Sequence, residues 1–160
     1  MVKDMLFTGG AYLVVESGDK GKGKQNTDYF VSIVYDQFPT ETISNNTQAK
    51  ATSVNFETIG TAEVAKASDW VGYGDAIDFF SFELDAAGQI DLNLSNLTNS
   101  GLRIGSDLKV KLYDSTGKVL KLDKNLTSSE LEIGTYAVSV EVSKPEKNWT
   151  GYDLSITKLA

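Results

Sequence analysis

Alternation with a period of two runs through most of the second half of this chain, and it leaves little choice of fold. In Gln89–Ser95 the residues Ile90, Leu92 and Leu94 share one face, and Asp91, Asn93 and Ser95 share the other. A strand with one buried and one wet face has this pattern, because successive side chains point to opposite sides of a sheet. Leu108, Val110 and Leu112 repeat it against Lys109 and Lys111. Tyr136, Val138, Val140 and Val142 repeat it against Ala137, Ser139 and Glu141, and Tyr152, Leu154 and Ile156 against Asp153, Ser155 and Thr157. Upstream, Phe80, Phe82 and Leu84 line one side of a further strand. Asp114-Ser115-Thr116-Gly117 is a turn, since Asp can bond its own backbone and Gly accepts positive φ, so Lys118–Leu122 returns as a hairpin partner. Short strands punctuated by Gly, Asn, Asp and Ser predict an all-β chain: an antiparallel, jelly-roll-like β-sandwich. The single helix expected is a short Ala-rich one over Thr61–Ala67.

Tyr12, Val14 and then Tyr29, Val31, Ile33 match Tyr136, Val138 and then Tyr152, Leu154, Ile156, with the tyrosines 17 and 16 residues apart. Nothing before Gly10 resembles 69–122, so residues 1–37 read as the back half of a repeated or interrupted module and 38–160 as a complete one. Either 1–37 is the tail of a preceding tandem module, or it completes a domain whose chain is interrupted. Its Lys20-Gly21-Lys22-Gly23-Lys24 stretch reads as a solvated basic hairpin tip. No apolar run approaches a membrane span, and the start lacks the long apolar stretch of a signal peptide. Either the protein is cytosolic, or this chain is a piece excised from a longer secreted one.

The chain has no His and no Cys, which excludes His-dependent triads, thiol nucleophiles and metal sites with nitrogen or sulfur ligands. Oxygen-ligand chemistry remains, meaning Ca²⁺ or Mg²⁺. A net charge of −7 with a single Arg, Arg103, excludes a nucleic-acid partner, whose phosphates require clustered cations. Asp69, Asp75 and Asp78 fall within ten residues, separated by Gly72 and Gly74. Three carboxylates on a tight loop supply the hard ligands Ca²⁺ prefers, and a divalent ion removes their mutual repulsion. The competing reading has them cap turns only. Paired acids also serve glycosidases, but short alternating strands give no sign of the cleft that raises one acid's pKa, so no catalytic residue is expected. Trp70, Tyr73 and Trp149 lie outside clean alternation; they either stack on sugar rings or grip peptide, or plug the ends of the sandwich.

Five features in order resemble the bacterial pre-peptidase C-terminal domain. They are Asp75-Ala-Ile-Asp78-Phe-Phe-Ser-Phe82, Asp107-Leu-Lys-Val-Lys-Leu-Tyr-Asp114, Gly134-Thr-Tyr136-Ala-Val-Ser-Val140, Tyr152-Asp-Leu-Ser-Ile156, and an opening over Asn45-Asn46-Thr47 and Ala51-Thr52. The resemblance covers 44–159. It implies a mostly non-catalytic accessory β-sandwich of secreted peptidases, collagenases and large calcium-dependent adhesins, some of which bind collagen or polysaccharide. It also implies that Asp75 and Asp78 bind Ca²⁺ with remote ligands from the opening, here Asn45, Asn46 or Glu41. The longer segment Asp69–Asp78 is most similar to modules of RTX-type adhesins, although no Gly-Gly-x-Gly-x-Asp repeat is present. The expected function is a Ca²⁺-stabilised extender that spaces neighbouring domains of its parent chain. The alternative is an accessory module that recognises glycan or extracellular-matrix peptide through Trp70, Tyr73 and Trp149.

Overall fold

The computed structural model describes residues 45–159. The readings placed on residues 1–37 and on Glu41 lie outside these residues. Nine strands follow one another: β1 (Thr52–Ser53), β2 (Glu57–Ile59), β3 (Ala62–Val71), β4 (Ile77–Leu84), β5 (Gln89–Ser95), β6 (Leu108–Tyr113), β7 (Val119–Leu120), β8 (Gly134–Val142) and β9 (Thr150–Leu159). They form two sheets, with strand orders β1-β4-β8-β6-β7 and β2-β3-β9-β5. Every pairing is antiparallel except the short parallel pair of β1 with β4. The expected all-β sandwich is therefore present, and its sole regular helical piece among the described residues is a 3-10 turn, Gln48–Lys50.

The alternating residues meet between the sheets. Phe80, Phe82 and Leu84 of β4 and Leu108 and Leu112 of β6 join Tyr136, Val138, Val140 and Val142 of β8 from one side; Ile90, Leu92 and Leu94 of β5 and Tyr152, Leu154 and Ile156 of β9 come from the other. Their contacts include a Phe82–Tyr136 stack with centroids 5.9 Å apart and an edge contact of Phe80 on Tyr152 at 6.4 Å. Burial of each such side chain contributes roughly 1.5–3 kcal/mol, so this layer dominates stability. The hairpin foreseen after Asp114 is formed, with Leu112 opposite Leu120 and Tyr113 opposite Val119. Asp114 Oδ1 accepts from the backbone N–H groups of Thr116 and Lys118, as the turn reading required.

Two expectations need correction. Thr61–Ala67 is not helical: Ala62–Val71 is a ten-residue strand pairing β9 from Val64 to Val71 and β2 at its start. Alanine is a strong helix former, but here Ala65, Ala67, Asp69 and Val71 occupy the inward positions between the sheets, and ladder pairing outweighs intrinsic preference. The outward residues Ala137 and Ser139 of β8 are also not wet, being 2% and 0% exposed. The Phe79–Tyr113 ring pair, with centroids 5.5 Å apart, lies over this face, and Tyr113 Oη approaches Ser139 Oγ at 3.4 Å.

Candidate functional site

Strand β3 belongs to one sheet and β4 to the other, so the chain between them crosses one end of the sandwich. It does so in a two-residue turn: Gly72 N–H donates to the Asp75 carbonyl at 2.7 Å and Asp75 N–H to the Gly72 carbonyl at 3.1 Å. Gly74 takes φ 87°, a conformation open to glycine at little cost. The crossing places Asp69 on β3, Asp75 on the turn and Asp78 on β4. Asp69 lies opposite Tyr152 in the ladder with β9, and both point between the sheets. Asp78 occupies the core-facing series of Phe80 and Phe82 and is fully buried.

The polar bonding of this end is incomplete. Tyr152 Oη donates to Asp78 Oδ2 at 2.5 Å, while Asp78 Oδ1 is buried with no hydrogen-bond partner. Asp75 Oδ1 is likewise buried and unpartnered, though the Asn46 side chain bonds this carboxylate. Asp69 is better served: its Oδ2 accepts from Asn45 Nδ2 at 3.2 Å and its Oδ1 from the Trp70 N–H at 2.9 Å. Asn45 is itself buried and pinned by its carbonyl, which accepts from the Phe79 N–H at 2.9 Å. The sequence pattern thus brings together Asp69, Asp75, Asp78, Asn45 and Asn46.

Burial, followed by the charges of Asp69 and Asp75, pushes the Asp78 carboxyl up to about 8 despite the opposing hydrogen bond from Tyr152. Burial and the Asp69 charge also raise Asp75. Tyr152 is driven well above its ordinary range by burial and the Asp78 charge. Buried carboxylates destabilise one another unless protons or a cation compensate them. Among the described residues no three Asp or Glu side chains close into a ready-made metal cage. A cation here would draw on the two open carboxylate oxygens together with amide oxygens of Asn45 and Asn46, a mixed set of the kind Ca²⁺ accepts.

The alternation places Tyr152 on the inward face of its strand without showing its bond to Asp78. An inward hydroxyl on a strand whose neighbours are Leu154 and Ile156 is the signal, since a buried tyrosine needs a partner. Of the aromatic candidates, Trp70 and Trp149 are half-buried and converge on Gly72. A Cβ at Gly72 would fall 2.5 Å from Trp70 Cζ2 and 2.7 Å from Trp149 Cβ. Tyr73, at the tip of the turn, is 56% exposed.

No family model matches the chain, and no curated protein matches it. Among solved structures it is similar to the pre-peptidase C-terminal domain of collagenase from Bacillus anthracis, at 17% identity and a TM-score of 0.45, over 66% of this chain and 93% of that one. It is similar as well to a periplasmic inhibitor of g-type lysozyme from Salmonella Typhimurium, at 16% identity and a TM-score of 0.48, over 68% of this chain and 99% of the other. A pre-peptidase C-terminal domain, the family that the five sequence features resemble, is among the structures this chain is similar to. At such identities the likeness is one of fold, and nothing about the site is taken from it.

Proposed function

We propose that residues 45–159 form a non-catalytic β-sandwich module stabilised by Ca²⁺, acting as a structural extender that spaces or presents neighbouring domains of a large secreted or cell-surface bacterial adhesin. The observation that carries this reading is the pair of buried, unpartnered oxygens on Asp75 and Asp78, beside a third carboxylate and two amide side chains. An unpaired buried polar atom costs roughly 1–3 kcal/mol, so two of them at one sandwich end want a partner. Ca²⁺ bound there would join β3, β4 and the Asn45-Asn46 opening. A carboxyl raised to about 8 would suit a general acid, but Asp78 is fully buried. No substrate reaches it, which supports a structural role over catalysis.

The alternative, a collagen- or polysaccharide-binding accessory module of a secreted enzyme, has Tyr73 as its one well-exposed aromatic among the three candidates. Quenching or shift of tryptophan emission with glycan or collagen peptide would favour it.

The deciding experiment is thermal unfolding in excess EDTA and in millimolar Ca²⁺, on the wild-type chain and on Asp75→Asn and Asp75→Ala/Asp78→Ala variants, with a calorimetric titration of Ca²⁺ alongside. A ligand at a hundred times its Kd stabilises the folded state by about 2.7 kcal/mol, a midpoint rise of several degrees. The wild type should show that rise and saturable heat, and both variants should lose them. No rise and no heat in the wild type would leave the aspartates as turn caps.

A further inference from the structure

Strand β8 ends in two surfaces of opposite character. Beside its last residues lies a cavity of about 460 Å³ whose lining includes the apolar Ala76, Ile77 and Pro145 and the basic Lys109 and Lys144, while the Val142 side chain turns into the core. Glu141 also lines it, but that carboxylate is held by Lys111 Nζ at 2.8 Å. Neither Lys109 nor Lys144 has an ion pair among the described residues. Lys144 is rigidly placed: it sits at φ 57°, and its carbonyl accepts from the Lys147 and Asn148 N–H groups at 2.9 and 3.0 Å.

Before the first residue of β8, Gly134, stands Ile133, at 67% the most exposed large apolar side chain among the described residues. Glu130 and Glu132 beside it are exposed and unpaired within the described residues. This segment too is firmly held. Leu131 is buried and exchanges both backbone bonds with Gly88 at 2.8 and 3.0 Å, and Tyr136 Oη donates to the Glu132 carbonyl at 2.9 Å. One end of the strand therefore presents an apolar knob flanked by carboxylates, and the other an apolar hollow flanked by ammonium groups.

We infer that two copies of this chain dock head to tail, Ile133 of one entering the hollow over Ile77 and Pro145 of the next, with Glu130 and Glu132 facing Lys109 and Lys144. The two surfaces differ, so the contact is heterologous, and it repeats into linear arrays. The match of sign on both sides supplies orientation and excludes the head-to-head arrangement, in which lysines would oppose lysines. The inference does not rest on the calcium reading, and its readouts are taken at one fixed Ca²⁺ concentration.

Zero-length carbodiimide coupling with peptide mapping tests it. Nine strand residues separate the two surfaces by about 27 Å, so a Glu130 or Glu132 amide to Lys109 or Lys144 cannot form within one molecule. Wild-type protein at concentrations approaching about 1 mM should give those links and a sedimentation coefficient that rises with concentration. Glu130→Lys/Glu132→Lys and Lys109→Glu/Lys144→Glu should each sediment as monomers, and an equimolar mixture of the two should associate again. Intermolecular links confined to other residues, association insensitive to charge reversal, or a monomer without links at the highest concentration would each overturn the inference.

Discussion

Asp78 shows how one residue can sit within a hydrophobic series and break it. It stands in line with Phe80, Phe82 and Leu84, so the strand that buries them must bury a carboxyl as well. Tyr152 offsets part of that cost through one hydrogen bond. Tyr152→Phe keeps the ring packing on Phe80 and removes the donor, leaving both Asp78 oxygens without a partner. The expected loss is about 1–3 kcal/mol, measured by chemical denaturation without Ca²⁺, with the near-ultraviolet dichroism of the core retained. The carboxylate cluster was legible in the sequence because Asp69, Asp75 and Asp78 fall so close together. Their division into a served Asp69 and two open groups was not legible. It depends on Asn45 reaching Asp69 across 24 residues and Tyr152 reaching Asp78 across 74.

At the scale of elements, the crossing from β3 to β4 builds the site. Gly72 is the position where Trp70 and Trp149 press closest to the backbone, nearer than any real Cβ would sit. Gly72→Ala forces the Trp70 indole and the Trp149 Cβ to give way, and overpacking of this kind costs about 1–3 kcal/mol. A lowered urea midpoint with a changed tryptophan emission would verify it; Gly74→Ala, whose position is open space, should lower the midpoint through φ strain alone and leave the emission as it is. The alternation of β4, β5, β6, β8 and β9 could be read from their sequences because each carries large apolar residues on one face. Strand β3 could not. Its inward positions hold Ala65, Ala67 and Asp69, which give no hydrophobic stripe, and its identity as a strand comes from β9, whose pairing residues are far away in the chain. The outer face of β8 escaped for a related reason: Phe79 and Tyr113, from two other strands, bury Ala137 and Ser139.

Across the whole molecule, the carboxyl groups divide into two sets that act against each other as pH changes. Asp107, Asp114 and Asp153 are held below their ordinary range by hydrogen bonds, chiefly from the Arg103 backbone, the Thr116 side chain and the Ser68 side chain respectively. Such groups favour the folded state above the unfolded pKa near 3.8, and that contribution is lost as pH falls below it. Asp75 and Asp78 are raised, so the folded state holds their protons more tightly than the unfolded chain does. Their contribution is complete below about 3.8 and is lost as pH rises towards about 8, where Asp78 releases its proton. In excess chelator the midpoint of thermal unfolding should therefore peak on the acid side of neutrality and fall steadily up to about pH 8. Ca²⁺ should reverse that limb, because the cation binds ionised carboxylates and its affinity rises with pH as protons leave. Titration of Ca²⁺ at pH 7 in two buffers of different ionisation enthalpy should then report net proton release on binding. A chelated protein whose stability climbs from pH 5 to 8 would contradict both the burial of Asp78 as a neutral acid and the role of this cluster as the place where a cation replaces its proton.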